Sequence, residues 1–277
     1  MNESNIAFYD AMQAKFATSK IYCPTPEDLG HKLRAMKQWE YSWQSSADRI
    51  EIKLDLSRVL LDTVPHFTGG MGIRIENTRA RLEQVMINGQ PHAAFSDQVI
   101  ILPNLQKGIN TIHAALRKNV SEQPRLTYVS KRMPAIYADG DSLVVHIQTK
   151  AKAKFDFFVS RPFVLLHADA QEWNRNGDDL VQGFVASDRR LVLKPSRFND
   201  FVISRASLPI TDFKEGASTL TLSLHKSAGE NSLWFRCAKP PQRLTFKNQP
   251  LSFQKTGKDY RVTLPNFVEQ AELTIAF

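Results

Sequence analysis

Hydrophobic and polar positions alternate along most of the chain, and a period of two predicts β-strands. The clearest case is the set Ile50, Ile52 and Leu54, which share one face while charged residues occupy the other. The pattern recurs at short intervals to the C-terminus, separated by turn dipeptides such as Asn88-Gly89. Many short strands with tight turns are typical of antiparallel sandwiches. The sequence therefore predicts a mainly β protein.

The N-terminal residues follow a different pattern, in which apolar positions recur every three or four residues. This spacing predicts an amphipathic helix over residues 5–16 and a second helix that begins at Thr25, a residue type that caps helices. The apolar face of the second helix continues through Trp39 and Trp43. We expect both of these side chains, and also Trp234, to lie in a core.

The motif T-P-E-D-L at residues 25–29, preceded by a short strand predicted at residues 21–23, carries a family resemblance. It resembles the last strand and helix of a NodB-type polysaccharide deacetylase barrel, over about residues 1–40. The resemblance implies that the chain is the tail of such an enzyme, or a relic of one. That family binds a divalent metal through an Asp and an H-x-x-x-H pair, and the seven histidines here contain no such spacing. The alternative is an ordinary αβα preface to a β protein.

The chain divides into three predicted regions. Residues 1–45 form the αβα lead-in, and residues 46–118 form a small β-sandwich. The polar stretch 117–125, which contains Pro124, predicts a linker. Residues 124–277 carry a long series of predicted strands and form a larger β-sandwich. The predicted fold is thus mainly β, with a short α/β N-terminal lead-in followed by two antiparallel β-sandwich domains.

An internal repeat links the two predicted sandwiches. The segment that begins at Val85 (VMINGQPHAAFSDQVIILPNLQKGINTIHA) aligns with the segment that begins at Leu244 (LTFKNQPLSFQKTGKDYRVTLPNFVEQAELTIA). Both read strand, turn, strand, L-P-N turn, strand, with the L-P-N motifs at 102–104 and 264–266. We interpret them as the same closing β-meander used twice; the alternative is convergence on similar hairpins. Such endings resemble those of accessory sandwiches in glycan-active enzymes.

Charge and composition indicate which classes of binding partner the chain favours. There are 36 basic and 28 acidic residues, a formal net charge of +8, which favours anionic partners. The charges are interspersed without a basic run, so we expect no nucleic-acid partner. Cys23 and Cys237 form no C-x-x-C pair, which argues against a zinc ribbon. No apolar stretch spans a bilayer and no signal peptide is evident, so we expect a cytoplasmic protein if Met1 is the true start. Sequence does not predict the oligomeric state.

One polar stretch, between the predicted strands of residues 163–193, concentrates acids, amides, arginines and a tryptophan. Trp173 could stack on the apolar face of a sugar while its polar neighbours bond the hydroxyl groups. The alternative, that Trp173 folds back over the sandwich edge, is the more ordinary arrangement. The candidate ligand-binding residues are Asp169, Glu172, Trp173, Asn174, Arg189 and Arg190.

Two further chemistries fit the residue types of this stretch. Asn174, Asn176 and Asp178 place oxygen atoms at alternate positions, as calcium loops do, so a structural calcium ion is the one cofactor that the sequence suggests. A hairpin turn at Asn176-Gly177 explains the same residues. Acids such as Asp169 and Glu172 could form a hydrolytic pair, but neighbours on a loop rarely reach the required geometry. No complete catalytic motif occurs in the chain.

These features predict a non-catalytic, glycan-associated β-sandwich region that binds polysaccharide or oligosaccharide. It would be accessory to a polysaccharide-processing enzyme of deacetylase or glycosidase type. Two alternatives stay open. One is a hydrolase or lyase that acts on an anionic polysaccharide through acids of residues 169–179, with Arg189 or Arg190 holding a carboxylate. The other is a structural or interaction module.

Overall fold

A computed structural model describes residues 38–59, 68–75, 81–117, 124–160, 162–167, 173–176, 180–226, 229 and 231–277. Within these ranges the chain forms antiparallel β-strands and connecting turns, without an α-helix. The predicted mainly β fold is therefore confirmed. The lead-in helices and the T-P-E-D-L motif lie outside the described residues. No helix in the described ranges is long and apolar enough to cross a membrane.

The chain divides into two compact units. The first contains Met1–Val120 and Thr127–Ala135, and the second contains Ser121–Leu126 and Ile136–Phe277. The first unit holds a five-stranded sheet of order β1-β2-β7-β4-β5 and a pair β3-β6. Its strands are β1 (Glu40–Ser45), β2 (Arg49–Asp55), β3 (Gly72–Arg74), β4 (Arg81–Ile87), β5 (Gln90–His92), β6 (Val99–Ile101) and β7 (Ile109–Arg117).

The core of the first unit lies on the face of this sheet that the sequence pattern predicts. Ile50, Ile52 and Leu54 are buried on β2, while the intervening residues are half-buried or exposed. Asn88 and Gly89 have positive φ angles of 52° and 77°, as a type I′ turn requires, and they connect β4 to β5. This hairpin was predicted from the Asn-Gly dipeptide and is confirmed.

Three further sheets have eight, four and five strands, and apart from residues 127–135 their strands belong to the second unit. Their orders are β22-β23-β19-β16-β13-β14-β11-β8, β12-β15-β10-β9 and β17-β18-β24-β20-β21. The strands are β8 (Arg125–Val129), β9 (Arg132–Asp139), β10 (Ser142–Gln148), β11 (Ala153–Phe158), β12 (Phe163–Leu166), β13 (Trp173–Asn176), β14 (Leu180–Val185), β15 (Arg189–Pro195), β16 (Val202–Ala206), β17 (Ile210–Glu215), β18 (Thr219–His225), β19 (Ser232–Arg236), β20 (Arg243–Phe246), β21 (Gln249–Leu251), β22 (Gln254–Thr256), β23 (Asp259–Thr263) and β24 (Gln270–Ala276).

Aromatic side chains fill the core between the eight-stranded and five-stranded sheets. Phe235 of β19 packs on Phe201, with 5.4 Å between ring centres. Phe201 stacks in turn on Phe213 of β17, with 6.1 Å between ring centres. All three rings are fully buried. Burial of large aromatic surface in this way is the main source of stability in a sandwich core.

The internal repeat is present in the structure as two sheets with the same strand order. The order β1-β2-β7-β4-β5 in the first unit corresponds strand for strand to β17-β18-β24-β20-β21 in the second. Val85 lies opposite Ala114 and its counterpart Leu244 lies opposite Ile275, which is one residue out of step with the ungapped sequence alignment, where Ala114 matches Ala276. The repeat therefore includes the preceding hairpin, which the sequence alignment did not reach.

Two expectations about secondary structure are wrong. Residues 40–45 form β1, paired with β2, rather than a continued helix, because Tyr41 and Trp43 alternate with polar residues. Trp43 is 63% exposed rather than buried. Residues 173–176, expected within a loop, form β13 between β14 and β16. A strand paired on both edges satisfies its backbone hydrogen bonds without needing an apolar alternation. Trp39 does pack against the first core, as expected.

Candidate functional site

A groove of about 510 Å³ opens beside the edge strand of the first unit. Its floor is apolar, formed by Ile50, Ile52, Ile73, Ile75 and Leu116. Ligand pockets in proteins commonly have this size and this apolar lining. The groove is therefore large enough to hold part of a small or chain-like ligand.

Two aromatic rings form one side of the groove. Tyr41 and Trp43 are 72% and 63% exposed, and they lie opposite Leu54 and Ile52 across the β1–β2 pair. Alternate residues of a strand point to the same side, so the two side chains start about 7 Å apart along β1. Two exposed rings side by side form a larger apolar patch than single scattered apolar side chains do.

Polar groups surround these rings. Ser45, Ser46 and Arg74 line the groove with them. The Ser46 hydroxyl donates to a carboxylate oxygen of Asp48 at 2.9 Å, which fixes the turn into β2. Arg74 supplies planar N–H donors that match hydroxyl and carboxylate oxygens. The groove thus combines flat apolar surfaces with hydrogen-bonding groups at its rim.

The second copy of the repeat shows why the groove is open. Trp43 lies opposite Ile52 in the first unit, and Phe213 lies opposite Leu222 at the equivalent position in the second. Phe213 is fully buried because Phe201 stacks on it. The aromatic side chain at this position is thus covered in one unit and left exposed in the other.

The covering residue in the second unit precedes β16, which pairs with β19. The counterpart of β19 is β3, since each pairs with the strand that leads into an L-P-N motif. Among the described residues of the first unit, β3 pairs only with β6, and no strand takes the place of β16. The described part of the first unit therefore shows no counterpart of β16.

The residues predicted as a site from the sequence are distributed over two sheets or lie outside the described ranges. Asp169, Glu172 and Asp178 are among the undescribed residues. The backbones of Trp173, Asn174 and Asn176 belong to β13 in the eight-stranded sheet, with Trp173 opposite Gly183. Arg189 and Arg190 belong to β15, which pairs in the four-stranded sheet. The prediction of a shared ligand site, or of a calcium site, stays a prediction.

The two arginines of β15 have a local electrostatic role. Arg190 forms an ion pair with Asp139 at 3.5 Å. The carboxylate of the preceding residue, Asp188, accepts a hydrogen bond of 2.7 Å from the Thr149 backbone N–H. Partial burial, together with the charges of Arg190 and Arg189, lowers the pKa of His167. His167 is therefore disfavoured as a cation beside these residues.

The described residues contain no group of three or more His, Cys, Asp or Glu side chains placed to hold a metal ion. Cys237 is a free thiol, and partial burial raises its pKa to about 11, so it stays protonated at neutral pH. A protonated thiol is a poor nucleophile and a poor metal ligand.

No protein-family model matches the chain, and no curated protein matches it at a significant level.

Sequence reasoning missed the groove because it assigned Trp43, one of the two rings beside it, to a helix. The signal that could have found it is the alternation in E-Y-S-W-Q-S, where Tyr41 and Trp43 are separated by single polar residues as in a strand. Trp234 was also expected in a core and is instead half-buried beside Arg205 and Arg261. Only the register between strands reveals that arrangement, and register is not readable from one sequence.

Proposed function

We propose that this chain is a non-catalytic glycan-binding region, accessory to a polysaccharide-processing enzyme, and that the groove of the first unit holds the sugar. The observation that carries the proposal is the pair Tyr41 and Trp43, both mostly exposed at one side of an apolar groove. Sugar rings have apolar C–H faces and polar edges. Exposed aromatic rings bordered by Ser45 and Arg74 match both parts.

The internal repeat supports a ligand in this place. An unfilled apolar groove leaves its lining without van der Waals partners. The second unit fills the equivalent space with Phe201, against which Phe213 packs. A pyranose ring offers the first unit a comparable flat apolar surface, together with hydroxyl groups for the polar rim.

Calorimetric titration with neutral oligosaccharides tests the proposal. We expect binding by the full chain, and we expect Trp43→Ala to weaken it by about 2 kcal/mol, roughly 30-fold, as for other central aromatic contacts. Tyr137→Ala is the matched control, since Tyr137 is 41% exposed, belongs to the second unit and is not among the residues that line the groove. Its affinity should equal that of the parent chain.

Two results would overturn the proposal. One is the absence of binding to a broad panel of neutral oligosaccharides at millimolar concentration. The other is binding that Trp43→Ala and Tyr41→Ala leave unchanged, which would place the sugar elsewhere. Because Trp43 is exposed, both variants should fold, and a thermal midpoint within a few degrees of the parent chain checks this.

A further inference from the structure

The outer face of the eight-stranded sheet carries a tryptophan between two arginines. Leu233 and Phe235 of β19 are fully buried, so Trp234 between them points to the opposite, outer side. It lies directly opposite Arg205 on β16 and Arg261 on β23. The guanidinium carbons lie 4.9 and 5.2 Å from the centre of the indole ring. Since β16 and β23 flank β19 on either side, one cation approaches the ring from each side.

A second cluster of cations and an aromatic ring lies on the same face. Phe184 on β14 lies opposite Lys154 on β11, and the ammonium groups of Lys152 and Lys154 lie 4.3 and 5.6 Å from the centre of its ring. Gln182, two residues before Phe184, belongs to the cross-strand row that passes through β13 to Arg205. Both clusters therefore share one face of the sheet.

The separation of the two clusters sets the length of a ligand that could reach both. Between β19 and β14 lie β16 and β13, which makes three strand spacings. At about 4.8 Å per spacing, the clusters are about 15 Å apart across the sheet. A single anion contacts one cluster, whereas a chain of anionic groups can contact both.

The cross-strand rows around Trp234 and Phe184 carry more described basic than acidic side chains. Arg236 forms an ion pair of 2.6 Å with Asp259. Asp156, in the same row as Gln182, is 7% exposed. The other charged side chains that the structure describes in these rows are basic: Arg205, Arg261, Lys152 and Lys154. The net positive charge of the whole chain, +8, has the same sign.

We propose that this face binds a linear acidic polysaccharide, with anionic groups at both clusters. Guanidinium groups bind carboxylate and sulfate oxygens through paired hydrogen bonds, which favours the arginine pair as the main anchor. Surfaces that bind single-stranded nucleic acid leave aromatic faces open for base stacking. Here the guanidinium groups of Arg205 and Arg261 lie over the indole, so stacking of bases on it is obstructed. The inference rests on the proposed function in taking the polyanion to be a glycan, but it uses a different unit of the chain.

Binding of acidic oligosaccharides to the full chain tests this inference. The probes are a disaccharide and an octasaccharide of galacturonic acid, their methyl esters as uncharged controls, dextran sulfate, and a single-stranded DNA oligomer. We expect an acidic octasaccharide to bind at least tenfold more tightly than the disaccharide, because only the longer chain reaches both clusters. The methyl esters should not bind at this face. Added salt should weaken binding, as for any exposed ionic contact.

Matched variants separate a specific site from a general charge effect. Arg205→Gln should weaken binding about tenfold, the usual loss for a hydrogen bond to a charged group. Arg205→Lys keeps the charge but loses the paired hydrogen bonds, so its affinity should lie between those of the parent chain and Arg205→Gln. Arg243→Gln removes the same charge from an exposed position on the five-stranded sheet and should have no effect. Arg205 is itself exposed, so these variants should fold, with thermal midpoints near that of the parent chain.

Three results would overturn the inference. In the first, neither the galacturonic acid octasaccharide nor dextran sulfate binds at low salt. In the second, Arg243→Gln weakens binding as much as Arg205→Gln, and in the third, the DNA oligomer binds more tightly than both of these polyanions and its binding depends on Arg205. The third would assign the face to nucleic acid. Neutral oligosaccharide binding that depends on Trp43 reports separately on the proposed function. Either proposal can therefore fail while the other stands.

Discussion

Trp43 and Phe213 hold the same position in the two copies of the repeat, yet one ring faces solvent and the other is fully buried. Exposure decides what each residue does. A buried ring contributes its transfer free energy and its packing contacts to stability, whereas an exposed ring contributes little to stability and is free to contact a ligand. At the same position of the repeat, Phe213 therefore contributes to stability, whereas Trp43 is available to contact a ligand.

We expect Phe213→Ala to lower the free energy of unfolding by about 3–5 kcal/mol, because it leaves a cavity against Phe201. Trp43→Ala should change it by less than about 0.5 kcal/mol, as for other exposed positions. Urea denaturation of the two variants measures both values. A large loss of stability in Trp43→Ala would show that Trp43 is part of a core and would weaken the binding proposal.

His92 is a second residue whose position has a measurable consequence. Its Nε2 lies 2.7 Å from the carbonyl oxygen of Ile101, and burial lowers its pKa to about 4. In the unfolded chain the pKa returns to its ordinary value of 6.5. The unfolded state therefore binds a proton that the folded state does not, so stability falls as the pH falls from 6.5 towards 4 and is constant above this window.

We expect a loss of up to about 3 kcal/mol at pH 4 from this residue. Carboxylates also titrate in this range, so the comparison of interest is with His92→Leu, which introduces the residue found at the equivalent Leu251. The variant should show a flatter dependence of the urea midpoint on pH between 6.5 and 4. Parallel pH curves for parent and variant would exclude His92 as the cause.

At the scale of elements, the two equivalent hairpins use different turn residues. The β4–β5 turn has Asn88 and Gly89, whereas the β20–β21 turn has Lys247 and Asn248 with φ angles of 50° and 65°. A positive φ is unfavourable for a residue with a Cβ, and asparagine tolerates it better than most. The second hairpin therefore carries a backbone strain that the first avoids with glycine.

We expect Asn248→Gly to raise stability by about 0.5–1 kcal/mol, since the relief of strain at a positive φ outweighs the added freedom of the unfolded chain. Gly89→Asn should lower stability by a similar amount. The denaturant midpoints of these reciprocal variants measure both effects. A decrease in Asn248→Gly would mean that the asparagine side chain makes a contact worth more than the strain.

The strands themselves were largely predictable, and their pairing was not. Alternation identified β2, β4, β6 and β7, and the Asn-Gly dipeptide identified a hairpin. It did not identify β13, where no such alternation marks the strand, or β1, where helical spacing of two tryptophans competed with the period of two. The alternation of apolar and polar residues along a strand predicts which of its residues are buried. It does not predict which strands become neighbours in a sheet.

For the whole molecule, the mainly β fold and the repeat followed from the sequence because both depend on patterns that extend over many residues. The candidate sites did not. Arg205, Trp234 and Arg261 are separated by 29 and 27 positions in the sequence, and only the antiparallel register brings them into one row. The groove likewise depends on a strand that one unit has and the described part of the other lacks. Binding surfaces built across strands are therefore hidden from sequence reasoning.

The repeat also raises the possibility of incorrect strand pairing between its two copies during folding. Two sheets with the same strand order invite an exchange of their central strands, β7 and β24, and such misassembly is a typical failure of repeat proteins. The volumes at equivalent positions oppose it. Ala114 lies between Ile50 and Val85, whereas Ile275 lies between Leu220 and Leu244. An exchange would overpack one core and leave a cavity in the other. The difference in side-chain volume therefore favours pairing of each central strand within its own sheet.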